Sequence, residues 1–158
     1  MKKVTKTIFI DMDGVLADFG AVIGEIRQKF GDQYADNPDE APNAFKDIPL
    51  YPGALEAVHK LNESGRYNLY IATTATWKSD TALQDKKDWV EKHFGDLFYK
   101  RVLFTHHKNL LIGDYLIDDR LANGAVEFQG SLIHFGVDYK TNKPNPFPTW
   151  QHVLDELL

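Results

Sequence analysis

The chain has 158 residues, of which 43% are hydrophobic and none is cysteine, so we expect one folded domain without disulfides or thiolate metal sites. Its 18 Lys and Arg against 23 Asp and Glu give a formal net charge of −5, which disfavours a nucleic-acid polymer as partner and favours a small ligand. No apolar run approaches the roughly 20 residues of a membrane span, and the apolar stretch near the N-terminus is too short for a signal peptide. We therefore expect a cytoplasmic protein with no membrane contact.

Strand and helix patterns alternate from the start of the chain. The apolar run Thr7–Ile10 predicts a first strand, and apolar residues at helical spacing from Leu16 to Phe30 predict the helix that follows it. Residues 31–52 are polar and punctuated by proline, which is typical of an irregular segment lying over the strand ends. We interpret the whole chain as a single core domain in which residues 20–51 form a small cap insertion after the first strand.

The second part of the chain continues this alternation. Further strands are predicted at Leu69–Ala72, Val102–Phe104, Tyr115–Ile117 and Leu132–Phe135, and helices are predicted after Gly53, before Gly95 and from Trp150 onward. Alternating strands and helices predict the α/β class, with a parallel sheet, right-handed crossovers and helices on both faces. The expected architecture is three-layered and Rossmann-like.

Two carboxylates, Asp11 and Asp13, directly follow the first strand, and Gly14 indicates a sharp exit from it. Open α/β sheets build their sites at the carboxyl ends of the strands. Two acidic groups this close are costly to hold together unless a divalent cation neutralises them, so the pair suggests magnesium. A turn in which Asp caps the backbone explains an isolated Asp-x-Asp-Gly equally well.

Polar residues also follow the later strands. Thr73 and Thr74 come after the second strand, Lys108 after the third, and Asp118 and Asp119 after the fourth. Because the carboxyl ends of parallel strands share one edge, these side chains can converge on the first carboxylate pair.

The individual signals each have a simpler explanation. A threonine in this position can cap a helix, and Lys108 taken alone could be a solvated loop lysine, with Lys100 as a competing cation. The adjacent His106 and His107 point apart, so we interpret them as surface histidines rather than ligands of one metal. Asp114 lies at the opposite end of the fourth strand and is predicted to be structural.

The segment from Asp11 to Asp18 resembles motif one of the haloacid dehalogenase superfamily, and the polar residues after the later strands fall where its other three motifs are expected. Within that superfamily the chain is most similar to the 5'(3')-deoxyribonucleotidases. The shared stretches are Pro52–Leu55, Ile71–Thr74, Trp89–Gly95 and Lys108 followed by Gly113–Asp119. The resemblance implies a phosphatase that acts on a small phosphorylated substrate, in first place a nucleoside monophosphate.

This resemblance assigns roles that suit the chemistry of the residues. Asp11 would be the nucleophile that forms an aspartyl-phosphate, and Asp13 the general acid and base. Thr73 would bind a phosphoryl oxygen, and Lys108 would offset the negative charge of phosphate and nucleophile. A second Asp at this position favours phosphate esters, whose alkoxide leaving group benefits from a general acid, over anhydrides and carbon–halogen bonds.

The resemblance also implies a Mg²⁺ site. Its ligands would be the Asp11 carboxylate, the Asp13 backbone carbonyl and Asp119, with Asp118 acting through a bound water. Intact nucleophile and general acid argue against a non-catalytic binding member of the fold. The acidic charge balance argues against a phosphatase of nucleic-acid ends.

Substrate contacts are the least determined part of the prediction. Phe19 could stack on a nucleobase, with Phe45 doing the same from the insertion and Thr74 beside the phosphate, although core packing of Phe19 is an equal alternative. Residues 20–51 make a shorter and more polar cap than that of the animal deoxyribonucleotidases, which keeps open a general phosphatase of sugar phosphates or other metabolites. A small cap also leaves room for a neighbouring subunit, so a homo-oligomer is compatible with the sequence.

Overall fold

A five-stranded parallel sheet organises residues 5–158, the part of the chain that the computed structural model describes. The strands are β1 (Lys6–Ile10), β2 (Tyr67–Thr73), β3 (Val102–Phe104), β4 (Tyr115–Asp118) and β5 (Ser131–His134). Their order is β3-β2-β1-β4-β5, so successive connections run to one side of β1 and then to the other. The crevice between the ends of β1 and β4 is the topological switch point, where open α/β sheets hold their ligands.

The α-helices gather on one face of this sheet. They are α1 (Ile23–Phe30), α2 (Ala54–Glu63), α3 (Ala82–Phe94) and α4 (Trp150–Leu157). Their apolar residues pack with Ile8 and Ile10 in the larger core, whereas Phe9 points to the opposite face. The predicted α/β class and parallel sheet are confirmed.

The second face of the sheet carries a thinner cover. Two single 3₁₀ turns, Lys108–Leu110 and Ala125–Glu127, lie in the connections that enter β4 and β5. Ala125 and Phe128 pack there against Phe9 and Leu116 in a smaller core. Because both connections are only about a dozen residues long, the expected helices on this face are reduced to 3₁₀ turns.

The segment between β1 and α2 differs in detail from its helical prediction. The amides of Leu16 and Ala17 both donate to the carbonyl of Met12 (2.9 and 2.8 Å), so Leu16 belongs to a tight turn. Helical structure begins only with a 3₁₀ turn at Phe19–Val22, which leads into α1. The local turn around the first carboxylates therefore delays the helix.

Residues 31–51 contain short 3₁₀ turns and loops rather than longer helices. Phe45 and Ile48 are buried in the larger core. The indole Nε1 of Trp89, on α3, donates to the carbonyl of Ile48 at 2.7 Å. This hydrogen bond fixes the segment to α3. Among the described residues, no helix is long and apolar enough to cross a membrane.

Candidate active site

The two carboxylate pairs meet at the carboxyl edge of the sheet. Asp11 follows β1, and its amide donates to the carbonyl of Ile117 in β4 at 2.8 Å, which brings it beside Asp118 and Asp119. Gly14 has φ +76°, and a Cβ at this position would lie 2.2 Å from Oδ2 of Asp119. Only glycine therefore permits this approach between the two loops.

Lys108 joins the two pairs. Its side chain is 3% exposed, and Nζ donates to Oδ1 of Asp11 at 3.0 Å and to Oδ2 of Asp118 at 2.5 Å. Burial lowers the pKa of Lys108, but the two carboxylates outweigh this effect and raise it. The competing Lys100 is exposed, with its ammonium over the ring of Tyr99 at 5.3 Å. The sequence-predicted lysine is thus the one at the carboxylates.

Three carboxylates crowd around this one ammonium. Oxygens of Asp11, Asp118 and Asp119 all lie within 4.8 Å of one another. Burial, followed by the charge of Asp11, raises the pKa of Asp118 to about 7 and that of Asp119 to about 9. The cluster therefore disfavours full ionisation unless a further cation compensates it.

The oxygens of this cluster fit a hard divalent cation. Asp118 is fully engaged, because Oδ2 accepts from Lys108 and Oδ1 accepts from the amide of Arg120 at 3.0 Å. Oδ1 of Asp119, in contrast, is buried and finds no hydrogen-bond partner in the described part of the chain. Oxygen donors with excess negative charge are the ligand set that Mg²⁺ prefers. Asp119 and Asp11 are thus the carboxylates with capacity for a metal.

A second buried lysine, Lys86 on α3, was not predicted from the sequence. Its Nζ donates to Oδ2 of Asp13 at 2.6 Å, to Oγ1 of Thr73 at 2.9 Å and to the carbonyl of Thr74 at 2.7 Å. The ammonium also lies over the ring of Phe45 at 4.4 Å. Because the Thr73 hydroxyl accepts from Lys86, its own proton stays available for a phosphoryl oxygen.

A helical signal could have revealed this lysine. Ala82, Lys86, Trp89 and Val90 are the successive buried positions of α3, at the spacing of one helix face. A lysine within an apolar stripe is rarely buried without a partner. The position of Lys86 on the apolar face of α3 therefore indicates a carboxylate partner packed against that face.

Asp13 has an environment suited to carrying a proton. Burial raises the pKa of its carboxyl, the ion pair with Lys86 opposes this, and the neighbouring Asp11 adds to the rise. While Oδ2 accepts from Lys86, the buried Oδ1 has no hydrogen-bond partner in residues 5–158. A carboxyl with one fixed oxygen and one free oxygen can give and take a proton at a defined place.

A cleft of about 570 Å³ is lined by Lys108 and the four carboxylates, Asp11, Asp13, Asp118 and Asp119. Thr74 lines it, and its hydroxyl donates to the carbonyl of Thr105 at 2.8 Å. Phe19 also lines it, half-buried, and stacks on Phe45 with ring centroids 5.3 Å apart. Phe45 is only 2% exposed, so most of its ring packs rather than facing the cleft.

The remaining polar residues considered in the sequence differ in their distance from the cleft. His107 is exposed, and His106 is partly exposed and lines the wall of the cleft. The pairing of β3 with β2 continues one residue beyond Phe104, where the amide of Thr105 donates to the carbonyl of Thr73 at 2.9 Å. Asp114 lies at the opposite edge of the sheet and accepts from the amide of Thr7 at 2.7 Å.

The fold is shared with solved haloacid dehalogenase-like hydrolases. It is similar to a candidate hydrolase of this class from Bacillus subtilis with bound magnesium, with a TM-score of 0.62, 11% identity and coverage of 98% of this chain and 99% of the other. A haloacid dehalogenase-like protein from Streptococcus pneumoniae gives a TM-score of 0.61, 14% identity and the same two coverages.

Sequence comparison identifies the family of the chain. The model of the family "5' nucleotidase, deoxy (Pyrimidine), cytosolic type C protein" matches residues 39–157. A candidate 5'(3')-deoxyribonucleotidase of Vibrio phage KVP40 is 42% identical over 99% of this chain and 87% of the relative. The human cytosolic-type 5'(3')-deoxyribonucleotidase is 34% identical over 72% of this chain and 70% of the relative. The chain belongs to this 5'-nucleotidase family and is a phosphomonoester hydrolase.

Proposed function

We propose that the chain removes phosphate from deoxyribonucleoside monophosphates with Asp11 as nucleophile. The observation that carries this proposal is the pair of buried lysines, one on each carboxylate of the first loop: Lys108 on Asp11 and Lys86 on Asp13. The names of the phage and human relatives support the nucleotide substrate. A binding protein would have no use for two separately supported carboxylates.

In the first step, an oxygen of Asp11 attacks phosphorus, so that a P–O bond to the carboxylate forms and the P–O bond to the sugar breaks. Asp13 gives its proton to the departing alkoxide, and burial raises the pKa of its carboxyl, which favours the protonated form that this step needs. The ammonium of Lys108 offsets the charge on the phosphoryl oxygens, and the Thr73 hydroxyl donates to one of them.

In the second step, water attacks phosphorus of the aspartyl-phosphate and gives a proton to Asp13. The P–O bond to Asp11 breaks, inorganic phosphate leaves and the carboxylate is restored. Oδ2 of Asp13 stays on Lys86 throughout, so the proton moves at Oδ1, the oxygen without a partner. Lys86 is therefore a positioning residue.

Asp11 and Asp119 would hold Mg²⁺, together with the Asp13 backbone carbonyl, and Asp118 would act through a water. The orphaned Oδ1 of Asp119 and the crowding of three carboxylates support this assignment. When bound, the ion supplies positive charge that lets the carboxylates and a phosphate dianion share the site.

Residues 20–51 are proposed as the cap over this site. Phe19 lines the cleft and stacks on Phe45, and it is proposed to contact the substrate. Thr74 is proposed to contact the substrate beside Thr73. The cytosolic type of the human relative and of the family model supports a cytoplasmic location.

The proposal is tested by steady-state release of phosphate, with and without Mg²⁺, from 5'- and 3'-deoxyribonucleoside monophosphates, ribonucleotides and sugar phosphates. We expect Mg²⁺-dependent turnover that is fastest with deoxyribonucleotides. Absence of turnover with every nucleotide, alongside turnover of a sugar phosphate, would exclude the nucleotide assignment. The inactive Asp11→Asn variant controls for contaminating phosphatase.

A further inference from the structure

Trp77 is an exposed aromatic side chain in the wall of the active-site cleft. It follows β2, and its side chain is 90% exposed while it lines the same cleft as Asp11 and Lys108. Tryptophan is usually largely buried, because it carries much apolar surface. A large aromatic side chain left open beside a phosphate site therefore indicates a ligand with a flat apolar surface.

The loop that carries Trp77 is fixed on two sides. The Thr74 hydroxyl donates to the loop after β3, and the Thr76 hydroxyl donates to Oδ2 of Asp39 at 2.7 Å. Trp77 is four residues beyond Thr73, so their Cα atoms are at most roughly 14 Å apart. A ring at this distance is within reach of a group attached to a phosphate at Thr73.

His106 supports the indole from one side. The two rings form an edge-to-face pair with centroids 6.2 Å apart and an angle of 72° between planes. Because 90% of the Trp77 side chain nevertheless remains exposed, a face of the indole stays open. The contact with His106 therefore leaves an indole face of Trp77 free for stacking.

The rings of the other aromatic residues in the cleft already contact neighbouring side chains. Phe19 uses a face on Phe45, and Phe45 is buried. On the opposite wall, Tyr139 has the guanidinium of Arg120 over its ring at 5.3 Å. Trp77 is therefore the aromatic side chain of this cleft with the most open face.

We propose that the base of a deoxyribonucleoside monophosphate stacks on Trp77 while its phosphate lies between Thr73 and Lys108. This inference rests on the proposed nucleotidase function and deepens it, because it names the residue that selects a base-bearing ester over a bare sugar phosphate. Such recognition tolerates different bases, since every base presents a flat π-surface.

A kinetic ratio tests the inference. We compare kcat/KM for thymidine 5'-monophosphate with kcat/KM for 2-deoxyribose 5-phosphate, which lacks the base. Trp77→Ala is expected to lower this ratio by about 5- to 150-fold, the range of base–aromatic stacking, and Trp77→Phe by no more than about threefold. Tyr139→Ala, which removes an exposed aromatic from the opposite wall, is expected to change the ratio by less than about twofold.

Tryptophan fluorescence gives a readout that is independent of turnover. The chain has three tryptophans, and the other two, Trp89 and Trp150, are 1% and 2% exposed. In the Asp11→Asn variant with Mg²⁺, thymidine 5'-monophosphate should quench the emission and 2-deoxyribose 5-phosphate should not. Trp77→Phe in the same background should remove the quenching.

The outcomes separate the two levels of the proposal. Turnover of 2-deoxyribose 5-phosphate without turnover of any nucleotide overturns the nucleotidase function itself. Turnover of the nucleotide with an unchanged ratio in Trp77→Ala, or a loss confined to Tyr139→Ala, overturns the role of Trp77 and leaves the nucleotidase function standing.

Discussion

Two buried lysines contact the carboxylates of the first loop, and the clusters around them differ in net charge. Lys108 faces two carboxylates, those of Asp11 and Asp118, and a third one lies close by. Lys86 faces the single carboxylate of Asp13 and two neutral oxygens. The first cluster keeps a negative excess, whereas the second is balanced.

This difference indicates that the two lysines have different roles in the site. A cluster with excess charge is incomplete until a cation enters, so Lys108 belongs to the part of the site that changes during binding and reaction. A balanced pair with three hydrogen bonds is complete by itself and holds its carboxylate in one orientation. Four measurements test this contrast.

Asp11→Asn is expected to have the largest effect. Loss of the proposed nucleophile should lower kcat by at least about 10⁴-fold. Lys108 keeps Asp118 as partner and the crowding of carboxylates falls, so the melting temperature should not decrease by more than a few degrees. Phosphate release and thermal unfolding, measured on the same preparation, check both statements. Near-normal activity would mean that another residue attacks phosphorus.

Lys108→Met removes the ammonium from the unbalanced cluster. We expect kcat to fall by about 10²- to 10³-fold and the free energy of unfolding by about 3–5 kcal/mol, because two buried carboxylates lose their partner. Kinetics and denaturant unfolding provide the measurement. Lys100→Met is the matched control, since that lysine is exposed, and an equal loss in it would remove the special position of Lys108.

Lys86→Met removes the ammonium from the balanced cluster, and kcat should fall by about 10- to 100-fold. Because Lys86 lowers the pKa of Asp13, its loss raises that pKa further. The alkaline limb of the pH profile of kcat/KM, where Asp13 loses its proton, should therefore move to higher pH. The neighbouring Lys87→Met, on the exposed side of α3 and paired with Glu91, should leave the profile in place. An unmoved profile in Lys86→Met would contradict the positioning role.

Mg²⁺ should stabilise the protein more at pH 8 than at pH 5. The raised pKa values of Asp118 and Asp119, about 7 and about 9, lie above the unfolded value of about 3.9. Without the ion, stability therefore falls as pH rises from about 4 to 9. Lys108 does not alter this window, because the stabilisation from its raised pKa is lost only above about pH 10.

At a fixed Mg²⁺ concentration of about 100 times the Kd at pH 8, the gain at that pH of about 2.7 kcal/mol corresponds to roughly 5–10 °C in melting temperature, and the gain at pH 5 should be smaller. Thermal unfolding at both pH values measures it, and Asp119→Asn should remove most of the gain. A gain that is equal at both pH values would contradict a site built from these carboxyls.

Much of this site could be predicted because parallel strands impose a shared edge. Once β1 and β4 were identified, Asp11 and Asp118 had to lie at the same edge of the sheet, and Lys108 could reach that edge from the loop after β3. Strand boundaries were less well determined: Phe135 was expected within the last strand, but β5 ends at His134. Such shifts of one residue leave the edge of the sheet unchanged.

What could not be predicted depends on contacts between distant segments. The charge on Lys86 suggested the solvent side of α3, and only its place in the apolar stripe indicated otherwise. Trp77 lies in a loop without periodicity, so its exposure follows from the hydrogen bonds that hold that loop. The thin cover on the second face follows from connection length, which the alternation of strands and helices did not reveal.

Residues 31–51 are attached to α3, and this attachment couples the stability of the segment to the orientation of Asp13. Trp89 holds the carbonyl of Ile48, and Phe45 covers the ammonium of Lys86, so one helix secures both the segment and Asp13. Detachment of the segment would expose Lys86 to water and weaken the contact that orients the Asp13 carboxyl. We therefore expect local unfolding of this segment and loss of the orientation of Asp13 to occur together, as one cooperative event.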